Sequence, residues 1–262
     1  GAVPGCKKPK LACIDGEIRT MARLQKQFGC DHRAVFDTTY LVLTRALRRT
    51  VVNRPRLLLD KPYLYTEDAL FASLYFRTLK SYKAGRPIPQ AWQIALDTAT
   101  KGEVNAGQDM LLGINAHVQN DMPFVLAELG LVMKNGKSRK PDHDAVNDVL
   151  AAAYQAVVDA ITKRYDPLLA TTNASWNPFE DIAALEMVRG WREEVWRNAE
   201  RLISAKDKAA RDQVAGQIQD QAAAWAQALA APQQPGYRES RDAYCAAGPA
   251  GRPPKTVAKR HT

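Results

Sequence analysis

The sequence predicts an all-α fold, a single-domain multi-helix bundle of about eight helices with disulfide-tied termini. Three observations predict it. Apolar residues recur at spacings of three and four, and no stretch alternates apolar and polar over six residues. A hydrophobic content of 46% in 262 residues is ample for one large core. The four cysteines, Cys6, Cys13, Cys30 and Cys245, stand near the two ends of the chain.

The first helix is expected over Glu17 to Phe28. Asp31 can cap a second through about Val51, striped by Val35, Tyr40, Leu43 and Leu47. Pro55 and Pro62 mark an irregular link. Thr66 then opens a third helix, with Glu67 and Asp68 as first-turn charges and Phe71, Leu74, Tyr75 and Leu79 facing inward. It stops at Gly85, and a short helix covers Gln90 to Thr100. The central helix runs from Gln108 to Met122, with Gly113 letting another backbone approach and Pro123 bending or ending it; a second piece continues to Leu131. Asn135-Gly136 is a turn. Asp142 to Tyr165 carries Val146, Val149, Leu150, Ala153, Val157 and Ile161 on one side. Phe179 to Ala205 has the stripe Leu185, Val188, Arg192, Val195, Ala199 and Leu202, and Lys206 to Ala230 closes the bundle.

Three regions follow: an N-terminal extension over 1–16 with Cys6 and Cys13, a helical domain over 17–230, and an extended basic tail over 231–262 anchored at Cys245. No run approaches the roughly 18 apolar residues of a membrane span. The opening Gly-Ala-Val-Pro-Gly-Cys reads as a mature chain after signal-peptide removal. The even cysteine number without a Cys-x-x-Cys pair reads as two disulfides in an oxidising compartment, hence a secreted protein. Three pairings are open, and each full pairing ties the C-terminal segment to the N-terminal region. The formal charge of +9 is biased toward the ends, at Lys7, Lys8, Lys10, Arg252, Lys255, Lys259 and Arg260. A solubilising tail is the plain reading. Nucleic acid is disfavoured, since aromatics do not interleave with the basic residues.

The sharpest anomaly is on the central helix. Met110, Ile114, His117 and Asp121 advance by four, three and four, placing an imidazole and a carboxylate one turn apart on an apolar face. Buried ionisable groups must be paired, hydrogen-bonded or metal-bound. A structural His–Asp pair, a metal site and metal-free acid–base work are all open. His117 is a metal ligand or general base and Asp121 its co-ligand or orienting partner, with the hydrogen bond raising the His pKa. Asp142 is a third metal-ligand candidate; its alternative is a helix N-terminal charge. With four histidines in the chain, a divalent metal would be a hard cation such as calcium or magnesium, or a mixed zinc site. Arg192, Asn115, Asn147 and Trp196 are candidate substrate-binding residues, Arg192 as a counter-ion or an anchor for an anionic group. Asp68 is a less certain addition. His143 points about 100° from Asp142 on a helix and ranks low. His32 and His261 read as surface residues, and Trp92, Trp191 and Trp225 as core. His-Glu-x-x-His, Gly-x-Ser-x-Gly, P-loop and dinucleotide signatures are all missing.

The segment Gly113-Ile114-Asn115-Ala116-His117-Val118-Gln119-Asn120-Asp121-Met122-Pro123 resembles the G-x-N-A-H-x-x-x-D-L-P core of an actinobacterial domain-of-unknown-function family. Phe71 to Phe76 is similar to its F-A-x-L-Y-F helix, and Ile88 to Trp92 to its V-P-x-A-W turn. Asp142 with Val146-Asn147 is similar to its D-F-x-x-V-N segment, with His143 in place of an aromatic. Arg192 to Trp196 is similar to its R-E-x-A-W helix. The resemblance covers about residues 17–205 and implies a helical domain with His117, Asp121, Asp142, Asn147 and Arg192 as motif positions. It implies no activity. The His-x-x-x-Asp element is also similar to one element of secreted all-α zinc phospholipase C and single-strand nuclease proteins, whose further His ligands and N-terminal Trp are not evident here.

The expected function is a secreted hydrolase, metal-assisted or by His/Asp acid–base work, acting on an anionic small molecule or polymer. The alternative is a non-catalytic extracellular binding or structural protein with a buried His–Asp–Arg network.

Overall fold

The computed structural model describes residues 8–170 and 181–251. These residues form α1 (Leu11–Phe28), α2 (Arg33–Asn53), α3 (Lys61–Lys83), α4 (Gln90–Lys101), α5 (Ala106–Asn115), a π-helical segment (Ala116–Asp121), α6 (Met122–Leu129), α7 (Lys140–Arg164), a 3₁₀ turn (Pro167–Ala170), α8 (Asp181–Ser204), α9 (Lys208–Leu229) and α10 (Tyr237–Ala247). A single Val132–Ser138 bridge is the one β feature among the described residues. The fold is all-α, as the three-and-four periodicity predicts.

Two helices begin earlier than expected. α1 starts at Leu11, inside the predicted N-terminal extension, and buries Cys13, Ile14, Glu17 and Met21. α3 starts at Lys61, because Asp60 caps it by accepting from the Tyr63 N–H at 3.1 Å and Pro62 sits in the first turn. The missing proline N–H is harmless there, so Pro62 opens the helix instead of breaking the chain. Both shifts place an acidic residue on an inward face. The expected start of α8 at Phe179 and Cys6 lie outside the described residues.

α5, the π segment and α6 run as one continuous rod through the bundle. Asn105 and Gln108 form a reciprocal capping box at its start. Gly113 is needed for a side chain, not a backbone: a Cβ there would lie 2.2 Å from Phe36 Cγ, so α2 seats its ring against the glycine. Near the far end, the Met122 N–H bonds the carbonyl of His117, five residues back. This wider turn ends where Pro123 has no N–H to give, so the rod continues past the proline instead of ending.

Beyond Pro232 the described residues include a helix, α10, over Tyr237–Ala247, correcting the expectation of a wholly extended tail. α10 buries Arg241 and Cys245, and Cys245 is disulfide-bonded to Cys30 across 215 residues. Arg241 Nη1 donates to Asp109 Oδ2 at 2.7 Å and to the Val104 carbonyl at 2.8 Å. His32, expected at the surface, is buried beneath this helix and bonds Asp242 at 2.7 Å. Two buried polar anchors and a covalent bond give this short helix a fixed seat. No described helix is long and apolar enough to cross a membrane.

Candidate functional site

The π segment delivers His117 and Asp121 to the centre of the bundle. His117 Nδ1 lies 3.0 Å from Asp121 Oδ2. The same oxygen accepts from Trp92 Nε1 at 2.9 Å, and Oδ1 accepts from Asn120 Nδ2 at 2.7 Å. Three donors therefore converge on one buried carboxylate. Trp92, expected as plain core, is one of them. With Nδ1–H directed at Asp121, His117 carries its lone pair on Nε2, which has no partner among the described residues.

Aromatic rings enclose this imidazole. Phe71 stacks on it at 3.5 Å between centroids and 6° between planes, and Tyr40 approaches edge-on at 4.9 Å. Burial lowers the His117 pKa and outweighs the opposing hydrogen bond and charge of Asp121. The sequence expectation of a raised pKa is thus reversed: the ring is a neutral imidazole at pH 7.

His117 is one wall of a cavity of about 150 Å³. Leu43, Leu47, Met110, Ile114, Val157 and Val188 are among the residues that make most of it apolar. The exceptions besides His117 come from four helices, with Tyr154 supplied by α7. α2 supplies Tyr40 and Thr44, α3 supplies Glu67 and Asp68, and α8 supplies Arg192. Burial holds Glu67 up to about 7, with Arg192 opposing the rise. Arg192 is lowered to about 10 by the same loss of water.

Of the predicted site residues, the structure brings His117 and Arg192 to one cavity. Arg192 is held by protein acceptors: Nε donates to Asn147 Oδ1 at 2.7 Å and Nη2 to the His143 carbonyl at 2.6 Å. Asn147 is therefore a support for the guanidinium. Asp142 stands apart from the His117–Asp121 pair, accepting from the Leu59 and Asp60 N–H groups at 2.8 Å each. Among the described residues no three His, Cys, Asp or Glu side chains form a group that could hold a metal, so His117, Asp121 and Asp142 do not constitute one. Asn115 donates to the Ala222 carbonyl at 2.8 Å and accepts from Gln119 at 2.6 Å, docking the rod onto α9. Trp196 donates to Glu200 at 2.9 Å and packs against His143. Neither Asn115 nor Trp196 lines the cavity.

The residues missed by sequence reading are Glu17, Tyr40 and Thr44, together with the inward role of Glu67, whereas Asp68, offered as an addition to the site, does line the cavity. Glu17 on α1 and Asp68 on α3 are neighbouring carboxyls in the interior, and both Glu17 oxygens and Asp68 Oδ2 lack a hydrogen-bond partner among the described residues. Burial and the neighbouring carboxyl push the Glu17 pKa far up, so Glu17 is the protonated member. A continued stripe holds the signal: Cys13, Glu17 and Met21 recur at four, and Leu64, Asp68, Phe71 and Tyr75 at four, three and four.

Comparison with the curated proteins and with the solved structures finds no match. Residues 14–232 match the model of a family of unknown function, a span reaching from α1 past the end of α9 and thus beyond the 17–205 covered by the motifs. The chain belongs to the Family of unknown function (DUF5995).

Proposed function

We propose that the protein is a secreted binder of a small, mainly apolar molecule, held in the cavity between α2, α3, α5, α7 and α8. The observation that carries this reading is a largely apolar cavity of about 150 Å³ in which His117 presents an unpartnered ring nitrogen. An apolar space of this size takes a molecule of roughly one aromatic ring. The Cys30–Cys245 disulfide supports an oxidising compartment. Arg192 has Nε and Nη2 engaged by protein acceptors and two carboxyls line the same space, which favours a neutral or cationic ligand over the anionic one expected from sequence. Titration with toluene and benzyl alcohol, followed by heteronuclear NMR and thermal shift, is expected to give saturable one-to-one binding. Val157→Phe should abolish it by filling the space. Absence of binding by any single-ring probe would refute the reading.

A hydrolytic reading is favoured by one observation, the His117–Asp121 contact itself. A neutral imidazole held by a carboxylate can take a proton from water and be stabilised as it charges. Phenyl acetate is the probe. His117→Gln should lower its turnover at least about 100-fold with the helical circular dichroism unchanged. Equal rates for wild type and this variant would exclude the hydrolytic reading while leaving ligand binding intact.

A further inference from the structure

We propose that the Asp68 side of this cavity is a receptor for a protonated primary amine carried on one ring or a comparably short hydrocarbon chain. The inference rests on the cavity being a ligand site.

The Glu17–Asp68 contact joins two carboxyls buried to more than nine-tenths, Glu17 at 0% and Asp68 at 8% exposure. Burial raises the pKa of both, and both Glu17 carboxyl oxygens lack a hydrogen-bond partner among the described residues. Neither carboxyl has a cationic partner among the described residues, and Asp68 Oδ2 has no hydrogen-bond donor. Ionising a carboxyl in such a place costs several kcal/mol unless a cation stands beside it. Asp68 lines the cavity, so a molecule there can supply the missing cation.

The surroundings repeat the demand for donors. His117 Nε2 is a second unpartnered acceptor, and the hydroxyls of Tyr40 and Thr44 are unpartnered and more than nine-tenths buried. All three residues line the same cavity. An ammonium brings three donors and no acceptor, matching two free acceptors and hydroxyls able to serve either role. The faces of Phe71 and Tyr40 favour a cation as well. A carboxylate ligand would meet Asp68 with like charge and supply no donor. Arg192 already gives Nε and Nη2 to Asn147 and the His143 carbonyl, and Glu67 on the same lining opposes its charge.

Benzylamine, benzyl alcohol and benzoate have nearly the same shape and differ in head-group charge. Calorimetric titration of the full chain at pH 7 should rank them in that order, with benzylamine at least about tenfold tighter than benzyl alcohol, a difference of about 1.4 kcal/mol. Asp68→Asn should remove that advantage, so that benzylamine binds no tighter than benzyl alcohol. If benzyl alcohol binds and benzylamine binds no tighter, the amine receptor is overturned and the cavity reading stands. If benzoate binds tightest, the amine receptor is likewise overturned. If none of the three binds, both readings fail. The wild-type series decides the question even where Asp68→Asn does not fold.

Discussion

His117 Nδ1 and Asp121 Oδ2 lie 3.0 Å apart within the π segment, and Trp92 Nε1 reaches the same carboxylate oxygen from α4. A buried acceptor with three donors is costly to remove because every donor is then orphaned. Asp121→Ala is expected to destabilise the fold by about 3–5 kcal/mol. Trp92→Phe removes one donor and keeps most of the ring volume, and should cost about 1–3 kcal/mol. Urea unfolding of the two variants checks the order; equal losses would mean that the Trp92 donor matters as much as the whole carboxylate, against the three-donor account.

Gly113→Ala should be among the most damaging small changes in the chain. The added methyl would overlap the Phe36 ring, whose Cγ is 2.2 Å from the ideal Cβ position, and Phe36 in turn packs edge-on against Tyr75 and Trp92. Overpacking of this kind costs about 1–3 kcal/mol or more. Adding Phe36→Leu to the variant should recover part of that loss, a coupling that a double-mutant cycle in urea would measure. Strict additivity of the two changes would remove Phe36 as the cause.

The fold was legible wherever periodicity was strong. The stripes on α7 and α8 bury Val149, Ala153, Val157, Val195, Ala199 and Leu202 as read. The site was legible only in part, and the reason lies at helix starts. Beginning α1 at Glu17 and α3 at Thr66 put Glu17 at a helix end and Asp68 in a first turn, with Asp68 only an uncertain site member; beginning them at Leu11 and Lys61 places both on buried faces. His117 and Asp121 stood out because an apolar stripe already surrounded them. Asp142 obeyed its helix-end reading, with its two acceptor oxygens spent on backbone amides of another segment. Long-range pairing such as Trp92 to Asp121, or Arg241 to Asp109, has no local signature in one sequence.

Removing the Cys30–Cys245 bond should leave the fold assembled and less stable. Its sequence separation of 215 residues makes the loop-closure contribution about 5 kcal/mol in the chain-entropy model. α10 retains the Arg241–Asp109 and His32–Asp242 contacts in a Cys30→Ser/Cys245→Ser protein. Circular dichroism at 25 °C should therefore be unchanged while the urea midpoint falls. Adding Arg241→Ala should then free α10, seen as rapid amide exchange confined to 237–247; slow exchange there would show that apolar packing alone holds the helix.

Glu17→Gln should change the pH dependence of stability in a defined direction. Because the folded pKa of Glu17 is raised, the native state retains a proton that the unfolded chain releases above its ordinary value of 4.5. The folded state thus binds more protons, and its stability falls as pH rises through and beyond that value, by up to about 1.4 kcal/mol per pH unit. Below that value both states are protonated and the penalty is absent. The introduced amide can donate to Asp68 and has no proton to lose, so the variant and wild type should be similar at pH 4 and the variant more stable at pH 8. Chemical denaturation across this range measures the gap. A gap that did not widen with pH would mean that Glu17 ionises normally in the folded protein, and the raised pKa of this buried carboxyl would have to be abandoned.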